Sequence, residues 1–351
     1  MRSIRVYGAA LAAALLTASA GCSLVGDDGG GEAPASDRVV LVTHDSFGLP
    51  KPLERRFEEE SGYDLVVRGS GDAGTLTNKL VLTQDDPLGD VAFGVDNTFA
   101  SRALDAGVFT PYDADLPAGA EQYRLPGDDD HELTPVDDAS VCVNVDDTWF
   151  ADHDLAPPTT LDDLVDPAYR DLFVTPGAAT SSPGMAFLLA TIAAYGDGWQ
   201  DWWARLMDNG AKLVDGWSQA YEVDFTQGGG SGVRPIVLSY DSSPAFTVSG
   251  GRSSTSALLD TCFRQVEYAG VLAGAQNPDG ARALVDFLLT PEVQAALPES
   301  MYVFPVDSSV ELPQEWARFA EQPTDPYQVD PAQVDEHRDE WLREWSDVTS
   351  R

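Results

Sequence analysis

At 351 residues and 43% hydrophobic content, the chain is long enough to bury two cores of its own. Its 58 acidic against 21 basic residues give a net charge of −37, which argues against nucleic acid and anionic membrane surfaces as partners. The same balance keeps a protein soluble and attracts cationic solutes.

The first 22 residues read as a targeting segment rather than as part of the fold. Arg2 and Arg5 make a positive start, and the apolar run 9–20 is too short to span a bilayer as a helix. It ends in Ser19-Ala20-Gly21-Cys22, small residues before a cysteine, which resembles a bacterial lipobox with Ser19 where leucine is usual. On that pattern Cys22 becomes a lipidated N-terminus; the alternative is an ordinary cleaved signal with an incidental cysteine. Residues 23–38 are rich in Gly, Asp, Ser and Pro without an apolar period, a flexible tether.

From residue 38 onward strands and helices alternate. Val39-Val40-Leu41-Val42-Thr43 is a buried strand, Leu53 and Phe57 lie four apart on a helix ended by Ser61-Gly62, and Leu65-Val66-Val67 is the next strand. Gly69-Ser70-Gly71-Asp72-Ala73-Gly74 is a tight loop before a helix over 75–82, and Asp90-Val91-Ala92-Phe93-Gly94-Val95 is a third strand followed by Asp96-Asn97 and a helix. This rhythm predicts a largely parallel sheet with helices on its faces. Residues 112–136 break it. A strand over 139–145 and a helix after the capping box Thr160…Asp163 then open a second α/β unit. That unit continues with a strand at Leu172-Phe173-Val174, an apolar helix opened by Ser181-Ser182-Pro183-Gly184, and another helix over 199–207. Strands near 263–274 and 302–306 follow, and the terminal helix 331–348 carries Trp341 and Trp345 four apart, an ordinary docking face.

The chemistry of catalysis is missing. Gly228-Gly229-Gly230-Ser231-Gly232 lacks the Lys-Ser/Thr of a phosphate loop, no G-x-S-x-G elbow occurs, and the four histidines show no H-E-x-x-H spacing. No Cys/His cluster suggests a metal site. Cys142 and Cys262 each lie in a strand-like run; in an oxidising compartment the pair forms a disulfide, or it remains as two buried thiols.

What remains is a binding cleft. Aromatic residues sit beside turn formers in Asp215-Gly216-Trp217-Ser218-Gln219-Ala220-Tyr221, in the strand ending at Tyr240, and in Asp241-Ser242-Ser243-Pro244-Ala245-Phe246. Trp217, Tyr240 and Phe246 are therefore expected to wall a pocket for a flat organic ligand. In a parallel α/β sheet the strand C-termini line the ligand crevice. That rule adds His44, the glycine-bracketed Asp72, and Ser181, whose helix start offers free N–H groups. Asp96 and Asn97 meet the same rule, but read more readily as turn or cap residues.

These residues resemble a known family, the thiamine-binding substrate-binding proteins of bacterial ABC transporters. The resemblance spans residues 39–351 and rests on Thr43-His44-Asp45-Ser46-Phe47, Gly94-Val95-Asp96-Asn97, Thr180-Ser181-Ser182-Pro183-Gly184, Gly216-Trp217-Ser218-Gln219-Ala220-Tyr221, and Leu238-Ser239-Tyr240 through Phe246. It implies an α/β, two-lobed periplasmic-binding fold of the second type, each lobe a mixed sheet flanked by helices and joined by a hinge. Lobe 1 would be residues 39–137 and 264–310, lobe 2 residues 138–263, with 311–351 a C-terminal helical segment packed on both. It implies thiamine or its phosphates as cargo, an ABC permease as partner, attachment to the membrane through the N-terminal lipid alone, a monomer, and no cofactor. Carried over by position, Asp72 accepts from the aminopyrimidine, Trp217 and Tyr240 contact the rings, and Ser181 lies near the hydroxyethyl or phosphate end. Three positions depart from the family's pattern: His44 and Phe246 stand where tyrosine is usual, and Tyr302 where tryptophan is. Phe246 can pack on a ring but lacks a hydroxyl, which should weaken phosphate recognition. The competing readings are a receptor of the same fold for ferric iron or a polyamine, and a secreted hydrolase.

Overall fold

The computed structural model describes residues 37–350; the targeting segment, Cys22 and residues 23–36 of the tether lie outside the described residues. In chain order the first half runs β1 (Arg38–Thr43), α1 (Lys51–Ser61), β2 (Asp64–Gly69), α2 (Ala73–Leu82), β3 (Val91–Asp96), α3 (Ala100–Asp105), β4 (Phe109–Thr110) and β5 (Thr134–Asp146). Then come α4 (Asp147–Asp152), β6 (Phe173–Pro176), α5 (Ser182–Tyr195), α6 (Trp199–Asp208), β7 (Lys212–Val214), β8 (Ile236–Tyr240), α7 (Ser243–Phe246), β9 (Val248–Ser249), β10 (Arg252–Ser253) and β11 (Thr255–Leu272). The last elements are α8 (Pro278–Leu288), α9 (Pro291–Ser300), β12 (Phe304–Pro305), α10 (Gln314–Phe319) and α11 (Pro331–Thr349).

One mixed sheet carries the strands in the order β2-β1-β3-β11-β5-β8-β6-β7, with β12 beside β5 and β4 beside β11, while β9 and β10 form a separate hairpin. The strand–helix alternation accounts for its parallel parts: β1 with β2 and β3, and β6 with β7 and β8. The expectation of a largely parallel sheet is corrected at its centre. There β11 runs antiparallel to β3 and β5, and β5 antiparallel to β8. Neither long strand reaches its neighbours through a single strand–helix–strand crossover, so nothing imposes a parallel partner. Both serve two parts of the sheet: residues 141–145 of β5 pair with β8, whereas residues 267–271 of β11 pair with β3.

Apolar side chains fill both faces. Under β6 and β8, helix α5 is apolar all round and buried along its first ten residues, meeting Trp202 and Trp203 of α6. Helix α11 closes this core with Val334, Trp345 and Val348; Trp345 meets Trp203 edge to face at 5.7 Å, while Trp341 stays partly exposed beside His337. On the other side, Val39, Leu41, Val91 and Phe93 pack on Phe57 of α1 and on α8, and Val40, Val42 and Ala92 pack on Leu76 and Leu80 of α2. Each such fully buried aliphatic or aromatic side chain contributes about 1.5–3 kcal/mol.

The cysteine pair resolves to a bridge: Cys142 of β5 and Cys262 of β11 are disulfide-bonded with Cα atoms 4.2 Å apart. The capping box forms as expected, Asp163 accepting from the Thr159 and Thr160 N–H groups at 2.8 and 2.9 Å. It opens only 3₁₀ turns over 162–165 and 167–169 instead of the expected helix, because Pro167 cannot donate into a longer one. Among the described residues no helix is long and apolar enough to cross a membrane.

Candidate ligand-binding site

The C-terminal ends of the parallel strands converge on one cavity of about 360 Å³, within the usual range for small-molecule sites of roughly 300–1,000 Å³. His44 follows β1, Asp72 follows β2, Ser182 opens α5 beyond β6, Trp217 follows β7 and Tyr240 ends β8; all five line it. Phe246 and Tyr302 line it as well, so six of the seven residues expected from the sequence share one space. Ser181 is the exception. It is fully buried behind the wall, its hydroxyl against the Asp72 carboxyl, and Ser182 takes the lining position.

The aromatic wall is held from behind. The Trp217 indole Nε1 donates to Ser239 Oγ at 2.9 Å, and Ser239 lies 2.7 Å from Ser243 Oγ. With its N–H engaged, Trp217 presents a face, and that face stacks on Tyr221 at 5.1 Å and 11°. Tyr221 is not among the residues that the sequence pattern marks for the pocket. It lies four residues after Trp217 on the π-helical turn Gln219–Asp224, and that spacing was the available signal. Tyr240 lies 6.3 Å from Trp217. At the mouth the Phe246 ring, 48% exposed, meets Tyr302 edge to face at 4.5 Å. Tyr302 adopts a left-handed backbone, φ +57°, and its carbonyl accepts from the Ser242 hydroxyl. A tyrosine held there against its steric preference fits a residue fixed for contact with a ligand.

The polar floor is acidic. Asp72 caps α2 by accepting from Ala73 N at 2.7 Å, and its other oxygen accepts from Trp217 N at 2.7 Å. A Cβ on Gly216 would sit 2.8 Å from that oxygen, so only glycine lets the loop come this close. Burial raises the Asp72 pKa, opposed by these bonds, by His44 and by Ser181. His44 packs over Gly94, where any Cβ would run into the imidazole, and its Nε2 lies 3.2 Å from Glu267 Oε1 with both side chains under 10% exposed. Burial would lower the His44 pKa, but Glu267, with Asp72 and Asp45 behind it, outweighs burial and raises it. Burial, with Glu267 and Asp72 adding to it, raises the Tyr240 phenol well above its usual range.

Glu267 was also missed by the sequence reading; its signal was a lone acid inside the apolar run Val266-Glu267-Tyr268-Ala269. Asp96 and Asn97 are structural, as favoured: Asp96 caps its own turn through Thr98 and Phe99, and Asn97 bonds the β11 backbone. Among the described lining residues are Asp45, Asp72, Glu222 and Glu267, and neither Lys nor Arg. No group of three or more His, Cys, Asp or Glu among the described residues could hold a metal ion.

A mixed α/β sheet with an aromatic, acidic cleft at its strand ends defines a protein that captures a small solute. The family model described as bacterial extracellular solute-binding protein matches residues 86–323, and the chain belongs to that family. Among curated relatives it is 30% identical over 333 residues to the thiamine-binding periplasmic protein of Brucella melitensis, covering 91% of this chain and 94% of that one. It is 28% identical over 331 residues to the thiamine-binding periplasmic protein of Escherichia coli, covering 91% and 96%. Among solved structures a periplasmic thiamin binding protein superposes with a TM-score of 0.78 at 26% identity, covering 91% of this chain and 98% of that one.

Proposed function

We propose that the cavity captures thiamine outside the cytoplasm and that the protein delivers it to an ABC permease, acting as a binder and not as an enzyme. One observation carries this reading: the cavity combines the rings of Trp217, Tyr221, Tyr240, Phe246 and Tyr302 with four acids and neither Lys nor Arg among its described lining residues. Thiamine is a flat aminopyrimidine joined to a permanently cationic thiazolium. Aromatic faces attract such a cation by about 0.5–2 kcal/mol per contact, and a carboxylate facing ring N–H donors adds about 1.5–3 kcal/mol. The thiamine-binding proteins to which the chain is similar point the same way.

In this reading Trp217, Tyr240, Phe246 and Tyr302 hold the rings, while Asp72, His44 and Glu267 supply the polar floor. The Ser181–Ser182 helix start faces the hydroxyethyl end. Residues 39–137 and 264–310 form one lobe and 138–263 the other. They hinge where β5 and β11 pass between them, with 311–351 packed across both. The chain works as a monomer, lipid-anchored through Cys22 and its tether. Failure of labelled palmitate to enter the protein, with Cys22→Ala fractionating like wild type, would remove the anchor.

Calorimetry with thiamine, thiamine monophosphate, ferric ion and spermidine tests the reading. Saturable binding of thiamine at one site per chain is expected. Folded protein that binds ferric ion or spermidine and neither thiamine species would overturn it.

A further inference from the structure

Three carboxyl groups stand side by side beneath the cavity. Glu267 of β11 is the register partner of Asp96 on β3 and of Asp137 on β5, and the three residues are 6%, 0% and 1% exposed. Like charges so placed and so buried repel unless each finds a proton or a donor. Asp96 finds its donors in its own turn, from Thr98 and Phe99. Asp137 has no donor of its own and lies against Glu267; burial, then the charge of Glu267, raises its pKa well above the carboxylate range. Glu267 is the member of the row that reaches the cavity, where its partner is His44.

Asp72 is less free than its position suggested. Each of its oxygens already holds a backbone N–H, of Ala73 and of Trp217. Its geometry is that of a residue positioning the aromatic wall. Glu267 has no such engagement with the backbone of the wall, and the side chain opposite it is the His44 imidazole.

We propose that Glu267 determines the specificity of the site by accepting hydrogen bonds from an N–H-bearing edge of the ligand ring, with Asp137 and His44 positioning its carboxylate. Resting on the thiamine reading, the inference identifies that edge as the aminopyrimidine. A carboxylate accepts and does not donate, so a carbonyl in place of the amino group removes the exocyclic donor and sets an acceptor against Glu267, leaving only the single ring N–H beside that carbonyl, one atom displaced from the amino position. The groups facing His44 are Glu267 from β11, Asp72 from the start of α2 and Asp45 from its own loop. Those facing Glu267 are His44, Asp137 from β5, Asp96 from β3 and Tyr240 from β8. A ligand N–H edge that takes up the Glu267 carboxylate weakens the contact that raises the His44 pKa, so binding shifts that pKa downward.

The experiment is calorimetry with thiamine and with its 4-oxo analogue, oxythiamine, on wild type, Glu267→Gln and Asp137→Asn. Wild type should prefer thiamine at least tenfold. Glu267→Gln, whose amide can donate to a carbonyl, should lose tenfold or more for thiamine and bring the two ligands within about threefold. Asp137→Asn, which keeps a donor toward Glu267, should hold the wild-type preference. A Glu267→Gln protein that retains the wild-type ratio overturns the inference. Should that variant not fold, wild-type titrations near pH 7 in buffers of different ionisation enthalpy decide: net proton release with thiamine supports the inference, and none overturns it. Wild type that binds thiamine without preferring it overturns the inference and leaves the thiamine reading standing, whereas no binding of thiamine removes both.

Discussion

The carboxylate of Asp72 accepts a hydrogen bond from the backbone N–H of Trp217 at 2.7 Å, tying the start of α2 to the loop that follows β7. Two further contacts join the same sides of the cavity: Thr75 N to Thr180 O at 3.1 Å, and Ser46 Oγ to Ser218 Oγ at 3.3 Å. The residue that caps a helix on one side thus fixes the main aromatic wall on the other. Asp72→Ala should lower thiamine affinity by tenfold or more in calorimetry. It should also cost about 1 kcal/mol of stability through the lost cap, roughly 2 °C in melting. Wild-type affinity in a folded Asp72→Ala protein would show that the wall is set without this bond.

Trp217 is only partly buried, yet it is bonded through Nε1 to Ser239 and stacked on Tyr221. Trp217→Ala should weaken thiamine binding at least tenfold, from the lost ring face alone. Trp217→Phe keeps a face but leaves the Ser239 hydroxyl without the indole donor, so its affinity should fall between alanine and wild type. Equal affinity for all three proteins would place the ligand elsewhere.

Phosphate recognition should be weak. A phosphate entering this cavity meets Asp45, Asp72, Glu222 and Glu267 with neither Lys nor Arg among the described lining residues, and Phe246 offers no hydroxyl. Thiamine monophosphate is therefore expected within about threefold of thiamine, since repulsion from the acids offsets what the helix start at Ser182 contributes. Phe246→Tyr should favour the monophosphate selectively. The Phe246 ring is 48% exposed at the mouth, so a hydroxyl can be added there without displacing core. A wild-type preference for the monophosphate above tenfold would contradict this account.

The parts legible in the sequence were those governed by local rules. Strand ends in a parallel unit collect ligand residues, and that rule brings His44 and Asp72 to the same cavity as Trp217 and Tyr240, which stand out as aromatics beside turn formers, from segments as far apart as residues 44 and 240. What escaped depended on register and on neighbours. Glu267 reads as a misplaced acid in a strand until β11 is seen to run antiparallel between β3 and β5, which sets it beside Asp96 and Asp137. Ser181 and Ser182 are indistinguishable as helix-start serines, and only the direction of the chain entering α5 makes one a support for Asp72 and the other a lining residue. The bridge between Cys142 and Cys262 likewise follows from the pairing of β5 with β11, which spacing along the chain does not reveal.

The buried acids also set the pH response of the fold. Burial pushes Asp241 up to about 8 and Asp96 up to about 7, and holds Asp137 well above the carboxylate range. Each raised pKa means that the native state keeps a proton which the unfolded chain has already lost above about pH 4. Such a contribution is complete below the unfolded value and disappears as pH rises through the folded one, so stability should decline from about pH 5 to pH 8. His44, also raised, acts in the same direction. The opposite sign belongs to Asp163, lowered chiefly by the Thr159 N–H. It belongs also to Asp146, where burial is outweighed by bonds from Thr148, Thr226 and Gln227. Their contributions vanish as pH falls below the carboxylate range, which places the maximum near pH 5. Thermal melts across pH 4–9 at fixed ionic strength should therefore show a peak on the acid side of neutrality. Each proton held by the native state alone steepens the decline by about 1.4 kcal/mol per pH unit. Asp241→Asn, neutral throughout, should flatten the curve between pH 5 and 8. A melting temperature that climbs toward pH 8, or an Asp241→Asn profile parallel to wild type, would mean that these carboxyls are ionised in the native protein.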